Sequence, residues 1–247
     1  MSKFRWLLLL LTLPAMAQSA REIAEEAQRR AKANSQHYEG TLRVMDGKSK
    51  VAEKRWAYDR IGSSGASKVV LRFQAPAEVK GVGLLVMNHP DRASDQWMWT
   101  PALGRERRIA LQDRSSRFFG TDFSFEDLEE RDVNQYDYKL LGEETVDGVA
   151  MWKLESKPKK TSQYTRSELW IRKDNYAVAR IDNYKGAKLA RQILYSDLAQ
   201  VQGIWTPKRH EVFDAMRNSR TILLFDKLQY NVAMKDEDFT LQALRRD

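Results

Sequence analysis

Apolar residues recur at every second position over much of the chain. Trp56 and Tyr58 alternate with Arg55, Ala57 and Asp59; Val82, Leu84 and Val86 with Gly83, Leu85 and Met87; Trp97 and Trp99 flank Met98. Further on, Trp152 and Leu154 alternate with Lys153 and Glu155, and Leu169 and Ile171 with Glu168, Trp170 and Arg172. A period of two is that of a strand whose faces meet different surroundings. Turn signals separate these runs at close spacing: Asp46-Gly47, the Gly62 and Gly65 pair, Asp147-Gly148, residues 173–175, Lys185-Gly186 and Gln202-Gly203. The pattern predicts roughly a dozen strands in an antiparallel meander. Ahead of them, Ile23, Ala27 and Ala31 recur at four-residue spacing and predict one amphipathic helix over about residues 19–34.

The rhythm breaks once at length, over residues 104–133. This stretch carries Phe118, Phe119, Phe123 and Phe125, interleaved with Asp122, Glu126 and Asp127. Asp122 suits the N-cap of a short helix over 124–130, with acidic residues in its first turn. Aromatic side chains between strands suit either a segment that plugs a concave sheet or a plain core-capping loop. The same choice applies to Trp56, Tyr58, Leu84, Val86, Trp97 and Trp99: strand alternation puts such residues on a buried face without distinguishing a core from a cavity.

Five arginines, Arg105, Arg107, Arg108, Arg114 and Arg117, stand against only Glu106 and Asp113 in the first part of that break. A guanidinium fork binds phosphate or carboxylate in a bidentate manner, so this cluster suits an anionic head group or an acidic partner face. Internal pairing with Asp122, Glu126 and Asp127 accounts for the same residues equally well.

The formal net charge is +8, and there is no cysteine. Residues 1–17 read as a signal peptide: Lys3 and Arg5, an apolar run from 6 to 13, and Ala15-Met16-Ala17 as the cleavage site. That run is shorter than the ~20 residues a spanning helix needs. Export places the basic charge away from nucleic acid, and residues 18–247 suit one β domain held by core burial without disulfides. The absence of cysteine also removes a lipid-attachment site.

Catalytic chemistry is sparse. His37, His89 and His210 form no metal-binding frame, Ser115 and Ser116 lack a nucleophile elbow, and Glu143-Glu144 and Asp236-Glu237-Asp238 read as solvated turns. The expectation is a protein without catalytic residues, metal or cofactor.

One ordered set of segments is more specific. DQWMWTPALGRERRIALQDRSSRFFGTDFSFEDL begins at Asp95; LRFQAPAEVKGVGLLVM precedes it; LLGEETVDGVAMWKLESKPK, ELWIRKDNY, residues 204–207 and DFTLQAL follow. Together they resemble the outer membrane lipoprotein-sorting protein family, whose members share the LolA/LolB fold. The resemblance implies a single strongly curved antiparallel sheet, a half-barrel, with helices plugging its open side and acyl chains between. It also implies a periplasmic carrier of lipid or lipoprotein acyl chains, loaded with the help of an inner-membrane RND/MMPL-type transporter and touching membranes transiently. On that architecture the expected cavity lining is Trp56, Tyr58, Leu84, Val86, Trp97, Trp99, Phe118, Phe119, Phe123 and Phe125. The expected head-group or partner site is Arg105, Arg107, Arg108, Arg114 and Arg117.

The chain is longer than the LolA carrier, and the arginine that holds that carrier's lid closed has no assignable counterpart; Arg72 is the loosest candidate and is not given the role. Other readings are a lipid- or lipoprotein-sensing module of the same fold and a periplasmic hydrolase, which the poor catalytic inventory disfavours. An outer-membrane barrel is excluded by charges on both strand faces.

Overall fold

The computed structural model describes residues 18–47 and 51–245; the expected signal peptide lies outside them. The first element is the helix α1 (Ala20–Arg30). Ser19 and Glu22 form a reciprocal capping box at its start, which satisfies two of the donors a helix leaves orphaned. Its buried face, Ala20, Ile23, Ala24 and Ala27, is mostly alanine, so the helix approaches the sheet closely while filling little volume. It ends four residues short of the expected span, at Arg30.

Thirteen strands follow, all in one antiparallel sheet: β1 (Ser35–Met45), β2 (Val51–Ser63), β3 (Ala66–Ala75), β4 (Gly83–Met87), β5 (Asp95–Thr100), β6 (Arg105–Arg108), β7 (Tyr136–Val146), β8 (Val149–Pro158), β9 (Arg166–Arg172), β10 (Val178–Lys185), β11 (Lys188–Val201), β12 (Ile204–Asp214) and β13 (Ser219–Tyr230). The order is β6-β5-β4-β3-β2-β1-β13-β12-β11-β10-β9-β8-β7. Two meanders are thus zipped together where β1 pairs with β13, and β6 and β7 are left as free edges. The sheet is curved and not closed, the expected half-barrel. Residues 109–135 run from one free edge to the other across the open side, as expected of the long break in the strand rhythm.

The turn residues do what their chemistry allows. Ser64-Gly65, Asp147-Gly148 and Gln202-Gly203 are two-residue connections with positive φ at both positions, the geometry whose twist matches that of paired strands. At Gly40 the reason for glycine is space: a Cβ there would lie 2.6 Å from Leu223 Cδ1 and 3.1 Å from Trp56 Nε1.

The expected helix over 124–130 is not formed. Residues 126–128 make a single 3-10 turn, and Asp122 caps nothing; it is fully buried, pairs with Arg117 at 2.9 Å and accepts a hydrogen bond from Thr221 Oγ1 of β13 at 2.8 Å. The acidic residues that suggested a helical first turn are used across the concavity instead. Glu126 accepts from Gln163 N at 2.9 Å, Asp127 from the Tyr164 hydroxyl at 2.8 Å and from Arg191, and Glu129 from Gln96 at 2.6 Å. A buried ion pair is costly to break, so these contacts pin the crossing segment to both halves of the sheet.

On the convex face residues 239–244 cover β3, β4 and β5. Phe239 and Leu244, from the short helix α2 (Leu241–Leu244) and the turn before it, pack with Val70 and Leu85. Arg72 points to this side, donating to the carbonyls of Ala243 and Leu244 at 3.0 Å each, away from the segment that bridges the open side.

Candidate functional site

The concave face divides into two regions. Over β2, β3 and β4 the crossing segment fills it. Phe118 stacks on Phe73 at 5.4 Å and lies 6.4 Å from Trp56, Phe123 lies 5.9 Å from Trp56, and Phe119 and Phe125 meet Phe118 edge-on at 5.3 and 5.5 Å. Leu84 and Val86 are wholly buried in the same cluster. Lys54 Nζ donates to the Phe119 carbonyl at 2.9 Å and ties this plug to β2.

The structure therefore brings Trp56, Leu84, Val86, Phe118, Phe119, Phe123 and Phe125 together, but as packed core. None of them borders the apolar cavity over the other meander. Trp97 and Trp99 are placed elsewhere. The β4–β5 register sets Leu84 opposite Met98 and Leu85 opposite Trp97, so Met98 shares the concave face. Trp97 and Trp99 lie on the convex side against the C-terminal residues. Alternation was read correctly within β5, but alternation does not say which set faces inward.

Over the other meander the concavity stays open. A cavity of about 370 Å³, within the range of small-ligand sites, lies between α1, residues 130–133 and the inner faces of β7 and β9–β13. Its apolar walls include Leu169 and Ile171 of β9, Val178 and Ile181 of β10, and Phe225 and Leu228 of β13, with Ala24 and Ala27 of α1 opposite. A ladder of rings crosses five adjacent strands: Tyr195 to His210 4.7 Å, His210 to Phe225 4.7 Å, Phe225 to Tyr38 4.5 Å, and Tyr38 to Tyr58 4.6 Å; Tyr195, His210 and Phe225 line the cavity floor, and Tyr38 and Tyr58 continue the ladder beyond it. Tyr58, the one expected lining residue in this ladder, stands at its far end and does not border the cavity. Burial pushes the His210 imidazole down to about 3 and the Tyr58 and Tyr195 phenols up to about 12, so all three rings are neutral over the ordinary pH range.

A second cavity, of about 310 Å³ and polar, adjoins the first; Glu130, Arg131, Ile181 and Tyr195 border both. Arg92, Arg114, Glu126, Asp127, Glu129 and Lys160 line it.

The five candidate arginines separate. Arg114 is buried and paired with Glu129 at 3.1 Å, and Arg117 pairs with Asp122 and donates to the Gly120 and Thr121 carbonyls at 2.7 Å each. Those two hold the plug in place. Arg105, Arg107 and Arg108 remain exposed on β6, where Arg108 meets Asp95 at 2.5 Å and Arg107 meets Asp113 at 3.6 Å. Leu103 and Leu111, both more than half exposed, flank them. His37 and His89 pair with Asp59 and Asp95, at 2.7 and 3.1 Å. Among the described residues no cluster of His, Asp and Glu could hold a metal ion. No described helix is long and apolar enough to cross a membrane.

Sequence reasoning missed the residues that line the open region: Ile171, Val178, Ile181, Tyr195, His210, Phe225 and Arg131. Their strands carry the alternation that marks a buried face, and that signal was available. What the sequence did not carry was which half of the sheet the phenylalanines would fill.

An open, curved antiparallel sheet, bridged from edge to edge with an apolar chamber beneath the bridge, is a LolA-like fold. Comparison with solved structures gives the same fold. An outer membrane lipoprotein-sorting protein domain from Vibrio parahaemolyticus matches with a TM-score of 0.87 at 23% identity, over 92% of this chain and 98% of that one. A LolA superfamily protein from Nitrosomonas europaea matches with a TM-score of 0.76 at 20% identity, over 92% and 100%. A DUF1329 family protein from Desulfovibrio piger matches with a TM-score of 0.87 at 30% identity, over 91% and 97%. A family model described as "-like: Uncharacterized protein" matches residues 65–246. The chain belongs to that family, and the 30% identity over 97% of the Desulfovibrio piger protein places it in the DUF1329 family as well. No match is found among curated proteins.

Proposed function

We propose that the protein is a periplasmic carrier that holds an acyl chain of a lipid or lipoprotein in the cavity over β7 and β9–β13 and conveys it toward the outer membrane. The observation that carries this reading is an apolar chamber of about 370 Å³ left open in a fold whose other half is tightly filled. The work is physical rather than chemical. Each buried methylene is worth about 0.8 kcal/mol, so a sixteen-carbon chain does not cross water free at a useful rate. A chamber that replaces the bilayer's apolar surroundings removes most of that barrier. Such a carrier binds about as well as a membrane and depends on a partner to load it; an inner-membrane RND/MMPL-type transporter fits that need. The exposed Arg105, Arg107 and Arg108, beside Leu103 and Leu111, suit brief contact with an anionic membrane surface, where each basic side chain contributes about 1 kcal/mol.

Titration with a fluorescent fatty acid tests the reading. Saturable binding near one per chain is expected, and Val178→Trp, which fills the chamber, is expected to abolish it while leaving the circular dichroism spectrum unchanged. Full binding by a folded Val178→Trp protein would refute the assignment of the cavity.

A further inference from the structure

Four cations stand in the wall of the apolar cavity, Arg30, Lys32, Arg60 and Arg131, against one carboxylate, Glu130. Most of these charges are already answered. Arg30 pairs with Glu26 at 2.6 Å and lies 4.2 Å over the Tyr176 ring, Lys32 is exposed to water, and Arg60 donates to the carbonyls of Ala33 and Gly62. Glu130 accepts hydrogen bonds from Ser64 N at 2.9 Å, Gly65 N at 3.2 Å and Ser67 Oγ at 2.6 Å.

Arg131 is different. Among the described residues no carboxylate lies within ion-pairing distance of it. Its Nη2 donates to Ser156 Oγ, its guanidinium lies 3.8 Å over the Tyr136 ring, and its Nε is buried without a hydrogen-bond partner. A guanidinium Nε sealed from water without an acceptor is costly unless an anion joins it. Its position is equally specific: Arg131 borders both the apolar cavity and the polar one beside it. An amphiphile needs that arrangement, an oily chamber for its tail and a cation at the threshold of a polar one for its head.

We propose that Arg131 receives the anionic head group of a single-chain amphiphile, a carboxylate or a phosphate monoester, whose tail occupies the cavity. This rests on the carrier reading and narrows it to an acidic lipid. The guanidinium fork meets either group with paired, charge-assisted hydrogen bonds, while Tyr136 holds its plane.

The test is displacement of a neutral polarity-sensitive dye, Nile red, by palmitate, hexadecyl phosphate and hexadecanol, from wild type, Arg131→Gln and Arg131→Lys. Wild type is expected to prefer the two acids over the alcohol by about ten- to a hundredfold, the usual worth of a hydrogen bond to a charged group. Arg131→Gln should erase that preference while leaving hexadecanol unchanged, and Arg131→Lys should keep part of it. The two acids, compared with each other, tell a carboxylate head from a phosphate. If Arg131→Gln does not fold, the wild-type preference alone decides: equal binding of acid and alcohol overturns the proposal. Equal losses for all three ligands in Arg131→Gln overturn it too, since they would mark a purely structural role. Failure of every ligand to displace the dye from wild type would overturn the carrier reading and this assignment with it.

Discussion

The two halves of the concave face are built from the same material and end differently. Over β2–β4, Trp56, Phe73, Leu84 and Val86 meet four phenylalanines of the crossing segment, and almost nothing is left between them. Over β9–β13, Ile171, Ile181, Phe225 and the His210 ladder meet only the alanine face of α1 and residues 130–133. The strands of both halves alternate in the same way and carry aromatic rings at similar density. The covering element is what differs: large side chains on one side, methyl groups on the other. In this fold, core and cavity are distinguished by what is placed opposite the sheet rather than by the sheet itself.

The contrast is broken most forcefully by opening the filled half. Phe118→Ala removes a fully buried ring that touches four other aromatic side chains, and should lower stability by about 3–5 kcal/mol. Val178→Ala, at the wall of the open half, should cost only about 1 kcal/mol, because the site is already bordered by empty space. Denaturant unfolding of the two variants measures the difference; equal losses would mean that the two halves are packed alike.

A smaller effect comes from His210. Its folded pKa, about 3, lies well below the usual value for an unfolded histidine, about 6.5. The unfolded chain therefore takes up a proton first as the pH falls. The stability contributed by keeping the ring neutral is complete above pH 6.5 and is lost progressively as the pH drops toward 3. His210→Phe keeps a ring between Tyr195 and Phe225 without the titration. Its melting temperature should vary less with pH than that of wild type between pH 6.5 and 5, above the range where most carboxylates titrate. Parallel curves would show that the imidazole is solvated and outside the cavity floor.

The sequence was legible where the physics is local. Two-residue turns such as Asp147-Gly148 and the alternation within β2, β4 and β5 follow from short-range rules, and the ordered motifs supplied the half-barrel. It was illegible where the answer depends on a distant partner. Trp97 and Trp99 face outward because Phe239 and Leu244, more than a hundred residues later, cover the convex side. The acidic residues 126–129 looked like the first turn of a helix and instead reach Arg191, Tyr164 and Gln96, none of which is a sequence neighbour. Arg114 and Arg117 were indistinguishable from the exposed Arg105 and Arg107 until Glu129 and Asp122 were seen beside them. Arg131 stood unnoticed beside the more crowded cluster, although among the described residues it is the one arginine that borders both cavities.

The claim that the open half, and not the aromatic half, is the binding site is tested most directly by photolabelling. A fatty acid carrying a diazirine along its chain, irradiated with the protein and mapped by peptide mass spectrometry, should mark Tyr138, Ile181, Tyr195 and His210. Labels concentrated on Phe118, Phe123 and Trp56, or on Trp97 and Trp99, would contradict it.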